Sequence, residues 1–261
     1  HEDSSGLFGG KAGMVCLFTY WDPEDHRQCQ GLAYSADGRE FTTYEGNPVI
    51  PQLRHLDGHP DDKNFRDPKV FFHPETNRWV MAVAGGKLRI FSSTTLIDWN
   101  FEHCHEDIQT ECPDLFRLPL DGDPDKRQWI LSGGGRWYRL GDFDGTRFTP
   151  TTEAIPFGAG PDFYATQTWS DAPDDRRVAI SWIFKWGYGA GTNDGVIANP
   201  FPTGPIAGGS MGIPSELSLV TTDAGPRLRQ EPVREMANLA AKTTTRNAIA
   251  VEKGTASPLS E

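Results

Sequence analysis

The chain has 261 residues, 37% hydrophobic and 23% charged, enough for one large or two small domains with a core of their own. No apolar run approaches the ~18 residues that would mark a membrane span. A net charge of −11, from 25 basic and 36 acidic residues, excludes the clustered Lys and Arg of a nucleic-acid surface.

The first ten residues, HEDSSGLFGG, lack the basic start and apolar stretch of a signal peptide, and there is no initiator Met. Both features point to a chain that begins inside a longer protein. Short apolar runs rich in Val, Ile, Phe, Trp and Thr then follow one another, separated by turn residues drawn from 28 Gly and 20 Pro. Those at 14–21, 69–73, 78–85, 87–93, 128–134 and 177–184 have strand composition and strand length. No convincing amphipathic helix precedes residue 230. After Pro232 the character changes: 234–254 starts with a short helical feel and continues with Thr and β-branched residues. The expected division is a propeller over 1–233 and a linker, or the start of a β-sandwich, over 234–261. Cys16, Cys29, Cys104 and Cys112 show no CxxC spacing, which argues against a zinc site, and they make no disulfide framework in a chain this long.

The runs follow a repeat. Three segments, 66–85, 112–134 and 160–182, share an acidic residue near a Pro, an apolar strand, an Asp/Pro turn and a second strand. Their lead aspartates, Asp67, Asp114 and Asp162, lie 47 and 48 residues apart. A second element recurs at 34–45, 92–102 and 141–150: a strand end, a tight turn, an aromatic and a further strand. Four short strands at this period predict an all-β fold, a β-propeller. One blade cannot cover its own apolar faces, whereas neighbours around an axis cover each other. The innermost strands would then bring the lead aspartates to a central funnel. A coincidental meander or β-sandwich is the competing arrangement.

A funnel that gathers Asp67, Glu111, Asp114 and Asp162 suits glycoside chemistry, which needs two carboxyl groups in different protonation states. Glu111 adjoins an apolar run and fits the proton donor, its pKa expected to be raised by partial burial and by neighbouring acids. Asp67 fits a group that grips sugar hydroxyls. Arg66 would point the opposite way on a regular strand, but both could face one sugar at a strand start or bulge. Taken singly, each acid is also readable as a turn or surface residue. Most of the eight Trp and fifteen Phe are expected to pack in the core, with some free to line a sugar cleft.

The stretches NFRDPKVF (64–71) and ECPDLF (111–116) resemble the Arg-Asp-Pro and Glu-Cys-Pro motifs of glycoside hydrolase family 32, the invertases, inulinases, levanases and fructosyltransferases. SSGLFG, LFTYWD, GLAYSADGREFTTYEGNPVI, GPDFYA, SWIFKWGYG and MGIPSELSLV follow the family's order, so the resemblance covers essentially the whole chain. It implies a five-bladed propeller, here with an incomplete first blade, and retaining cleavage or transfer of β-linked fructofuranosyl units. By the same resemblance Glu111 is the general acid/base and Asp67 the transition-state stabiliser. Arg66, Asn64, Cys112, Asp114 and Trp186 are substrate-binding. No metal or organic cofactor is implied. The partner is sucrose or a fructan, with no nucleic acid and no membrane, and secretion is favoured.

The family's nucleophile lies in a Trp-Met-Asn-Asp-Pro-Asn-Gly-like motif. None occurs in these residues, and neither Asp3 nor Asp22 has the spacing to replace it. The reading is therefore of an internal piece unable to complete a double displacement alone, with an open strand edge that invites self-association or pairing with the rest of its parent. Two other functions stay open: a non-catalytic carbohydrate-binding propeller, and a related five-bladed arabinosidase or xylosidase.

Overall fold

The structure is a computed structural model that describes residues 5–9, 11–22, 27–51, 64–158, 163–183 and 210–239. Their strands form a three-stranded sheet, β1(Met14–Asp22), β2(Arg27–Ser35) and β3(Thr42–Thr43). A four-stranded meander follows, β4(Arg66–His73), β5(Arg78–Ala84), β6(Gly86–Ser93) and β7(Asn100–Thr110). The remaining ten strands share one sheet. Within it β8(Asp114–Leu120), β9(Asp123–Gly133), β10(Trp137–Phe143) and β11(Phe148–Pro150) form a second meander, and β12(Ile155–Pro156) pairs with β10. A third follows the order β13(Phe163–Ala172), β14(Arg176–Ile183), β16(Ser215–Thr222), β17(Gly225–Pro232), with β15(Ser210–Met211) on β14. These two halves meet at a single parallel pair, Leu120 with Leu219.

The repeat in the sequence maps onto these meanders. Each repeat opens on the first strand of its sheet: Asp67 lies in β4, Asp114 begins β8, and β13 begins at Phe163, directly after Asp162. The second repeated element is the turn leading to an outer strand, and side chains cap all three copies. Asp37 Oδ1 accepts from the backbone N–H of Arg39 and Glu40. Ser93 Oγ accepts from Thr95 and Leu96, and Asp144 Oδ1 from Thr146 and Arg147. Such caps satisfy turn amides that no ladder reaches.

Burial explains the stacking. In β5, Val80 and Ala82 join a core shared with Leu115 and Leu131 of the next sheet. Met81 and Val83 face the other way, onto Ile50 and Phe65. In β8 the alternation repeats, Leu115 on one side, Phe116 and Leu118 on the other against Tyr138, Leu217 and Leu219. Strands buried on both faces read as continuous apolar runs, as the sequence does here. Sheets stacked face to face about an axis make this a β-propeller, as the repeat predicts. Among the described residues the only helical turns are short 3-10 segments, Pro173–Asp175 and Arg234–Leu239.

Two expectations about stability follow. Leu131 is fully buried between two sheets, so Leu131→Ala should cost about 2–5 kcal/mol in urea denaturation, from lost transfer energy plus the cavity left behind. His105 of β7 is buried, its Nε2 accepting from Phe148 N–H at 3.4 Å. Burial first, and then the nearby His103, bring its pKa from 6.5 down to about 4. The unfolded chain then takes up a proton that the folded chain refuses. Stability should be fully present above about pH 6.5 and fall progressively toward pH 4. His105→Gln should flatten that slope in denaturation series run at several pH values, with His73 and His103 supplying what remains.

Candidate active site

The site gathers where the inner strands begin. Phe65 is pinned from β2: its N–H donates to Gln28 Oε1 at 2.8 Å and its carbonyl accepts from Gln30 Nε2 at 2.7 Å. This sets the backbone just ahead of Arg66. The ladder between β4 and β5 then slips between Arg66 and Lys69, and Asp67 sits at φ 61. It is a bulge, and Pro68 fills it without leaving an unpaired N–H. The twist lets neighbouring Arg66 and Asp67 serve one site, which a regular strand forbids. The same device recurs before β8, where Cys112 has φ 43 and Pro113 follows.

Across this gap the two motifs meet. Arg66 Nη2 donates to Glu111 Oε1 at 2.8 Å and Nη1 to Asn64 Oδ1 at 2.9 Å. The N–H of Cys112 donates to Asp67 Oδ2 at 2.9 Å. Tyr164, on β13, donates its hydroxyl to the other oxygen of Glu111, Oε2. The Glu111 side chain is half exposed. The neighbours expected around it were acids; its direct partners are a guanidinium and a phenol.

A glycine turn holds the backbone here. Gly134 N–H donates to the Glu111 carbonyl at 2.6 Å, and the Gly134 carbonyl accepts from Ala165 N–H at 2.8 Å, linking Glu111 to the strand that carries Tyr164. The next residue, Gly135, has φ 67, and a Cβ there would lie 2.4 Å from Thr166 Oγ1. Only glycine lets the turn approach β13 so closely.

Burial and charge shape the two remaining titratable groups. Burial, then the charge of Asp67 and the hydrogen bond to it, push the Cys112 thiol up to about 12 against the opposing pull of Arg66. Burial, then the bond to Glu111, raise the Tyr164 phenol as well, with the Arg136 guanidinium, 4.9 Å above its ring, working the other way.

A cavity of about 480 Å³ opens beside Glu111, walled among others by Asn64, Arg66, Arg136, Trp137 and Tyr164. That is ample for a small ligand. Another cavity, of about 550 Å³, lies near the far ends of the inner strands; Lys69 lines it, but none of the predicted acids does. No group of three or more His, Cys, Asp or Glu among the described residues is placed to hold a metal ion.

Asp114, expected to contact substrate, does not line the cavity beside Glu111. Its side chain is wholly buried, with Oδ2 accepting from Thr168 N–H at 2.7 Å and lying 3.3 Å from Lys69 Nζ. Asp114 pairs regularly with Ser132, so its side chain runs between blades rather than into the cavity. Trp186 and Asp162 lie outside the described residues. Tyr164 and Arg136 were not singled out from sequence. The only hint for Tyr164 was its place at the start of the third repeat.

Asp67→Asn should lower the Cys112 thiol pKa by removing the adjacent negative charge, while burial keeps it above the ordinary range. Alkylation of Cys112 at pH 9, followed by mass spectrometry, should therefore run faster in the variant.

Residues 2–232 match the family model described as the glycosyl hydrolases family 32 N-terminal domain. The chain is 38% identical over 260 residues to the levanase of Bacillus subtilis (strain 168), covering 90% of this chain and 36% of that protein. It is 32% identical over 274 residues to an extracellular exo-inulinase of Aspergillus ficuum, covering 89% and 49%. Among solved structures, exo-inulinase from Aspergillus awamori superposes with a TM-score of 0.74 at 31% identity, over 88% of this chain and 50% of that one. A Schwanniomyces occidentalis fructofuranosidase complexed with fructose gives 0.69 at 29%, over 88% and 47%. The chain thus spans between about a third and half the length of these relatives.

Proposed function

The chain belongs to glycosyl hydrolase family 32, and on that premise we propose that it is the fructoside-recognising and proton-donating part of a glycosidase acting on sucrose or fructans. The observation that carries this is the convergence of Arg66-Asp67 and Glu111, from separate blades, with Arg66 Nη2 and Glu111 Oε1 2.8 Å apart. Relatives named levanase, exo-inulinase and fructofuranosidase support the substrate class.

In this reading Asp67 accepts hydroxyl hydrogens of the fructosyl ring, with its Oδ2 already oriented by the Cys112 amide. Glu111 gives its proton to the leaving oxygen. Arg66 and Tyr164 fix one carboxyl oxygen each, so the group cannot swing away as the bond breaks. The attacking carboxylate is assigned to no residue of these 261. The second reading is a carbohydrate-binding propeller without turnover. We further propose that the protein works outside the cell, as the extracellular relatives do. No helix among the described residues is long and apolar enough to cross a membrane.

Fructose release from sucrose, levan and inulin by the full-length protein, attacking carboxylate included, tests the assignment. Glu111→Gln should lower it by about 10²–10⁴, with binding of a fructo-oligosaccharide by calorimetry retained. A drop of only a few-fold would remove Glu111 from its role. Binding without any release would favour the second reading, and release of arabinose or xylose from pentosides instead of fructose would move the chain to the related pentosidases.

A further inference from the structure

Beneath the rim lies a second tier of polar contacts. Each inner strand, or for Glu111 the bend leading into β8, places one residue at the rim and another slightly further along: Asp67 and Lys69, Glu111 and Asp114, Tyr164 and Gln167. The deeper three are joined. Lys69 Nζ lies 3.3 Å from Asp114 Oδ2, donates to the Thr168 carbonyl and reaches Gln167 Oε1 at 3.5 Å. Gln167 Nε2 in turn donates to the carbonyls of Cys112 and Pro113, at 3.1 and 3.4 Å. One ammonium therefore ties β4 to both other inner strands and, through Gln167, holds the backbone that follows Glu111.

Stability is a poor account of this arrangement. Asp114 is fully buried and its Oδ1 has no hydrogen-bond partner. A carboxylate taken fully out of water seldom recovers its desolvation cost from one partner, and an unmet oxygen adds to it. What the network supplies that an apolar pair would not is direction.

We infer that Lys69 is a positioning residue: through Asp114 and Gln167 it holds the Glu111-Cys112-Pro113 segment in register with Arg66 and Asp67. The inference rests on the reading of Glu111 and Asp67 as the sugar-facing carboxyl groups. It assigns Lys69 no contact with substrate.

The test uses the four cysteines, none of them in a disulfide, which lie in different surroundings: Cys16 exposed, Cys29 buried, Cys104 and Cys112 in between. Iodoacetamide labelling of the full 261-residue chain, read cysteine by cysteine by mass spectrometry, compares the parent with Lys69→Met. It includes Lys69→Met combined with Asp114→Asn, which removes both charges of the pair should the single variant fold badly, and Lys69→Arg. Both neutral variants should label Cys112 roughly five- to tenfold faster, as expected when local hydrogen bonds that close the segment are lost. Cys29 and Cys104 should keep their parental rates, and Lys69→Arg should return Cys112 close to its own. Where fructose release is measured, kcat should fall with KM nearly unchanged. An unchanged Cys112 in the folded double variant would overturn the inference, and so would a parallel rise at Cys29 and Cys104, which would mean general loosening. Loss of fructoside binding by the parent chain would defeat the functional reading while leaving the labelling pattern to judge Lys69 alone.

Discussion

Every sheet in the middle of this molecule must hide both of its faces. Val80 and Ala82 need one neighbour, Met81 and Val83 another, and the same two-sided demand falls on β8 and β9. A flat stack would leave its end faces bare; sheets fanned about an axis meet the demand with a repeated unit. The fan has a geometric by-product. First strands lie side by side at the centre, so residues far apart in the chain, such as Arg66 and Glu111, become neighbours at their starts.

That constraint decided what could be read from the amino acids. The period of the lead aspartates marked where first strands begin, and the capped turns before outer strands were visible as recurring Ser, Asp and Gly. Parity was harder. Asp67 and Asp114 occupy matching places in the repeat, yet only Asp67 belongs to the rim. Its positive φ and the slipped register turn it there, whereas Asp114 sits in regular pairing and points between sheets. Pro68 was the written trace of the bulge. Tyr164 left no comparable trace, because its meeting with Glu111 depends on how β13 lies against the turn at Gly134, a contact between distant segments.

The electrostatics of the centre differ from those of the whole. A chain carrying −11 overall builds its centre from alternating charges, Arg66 with Glu111 above and Lys69 with Asp114 below. The upper pair is partly open to water on both sides, whereas in the lower pair Asp114 is fully buried and only Lys69 keeps some exposure. Exposed pairs contribute little to stability, so the upper pair can orient Glu111 without the fold depending on it. The lower pair has its carboxylate out of water and serves as a fixed base.

The raised thiol at Cys112 has a chemical consequence of another kind. Disulfide exchange and attack on peroxides both proceed through the thiolate. A cysteine that ionises only near pH 12 offers almost none of that species at neutral pH. It can therefore stay reduced in an oxidising medium, where an ordinary half-open cysteine would be consumed as sulfenic acid or captured by small disulfides. Burial first, and then the carboxylates beside it, thus also shield this sulfur from oxidation.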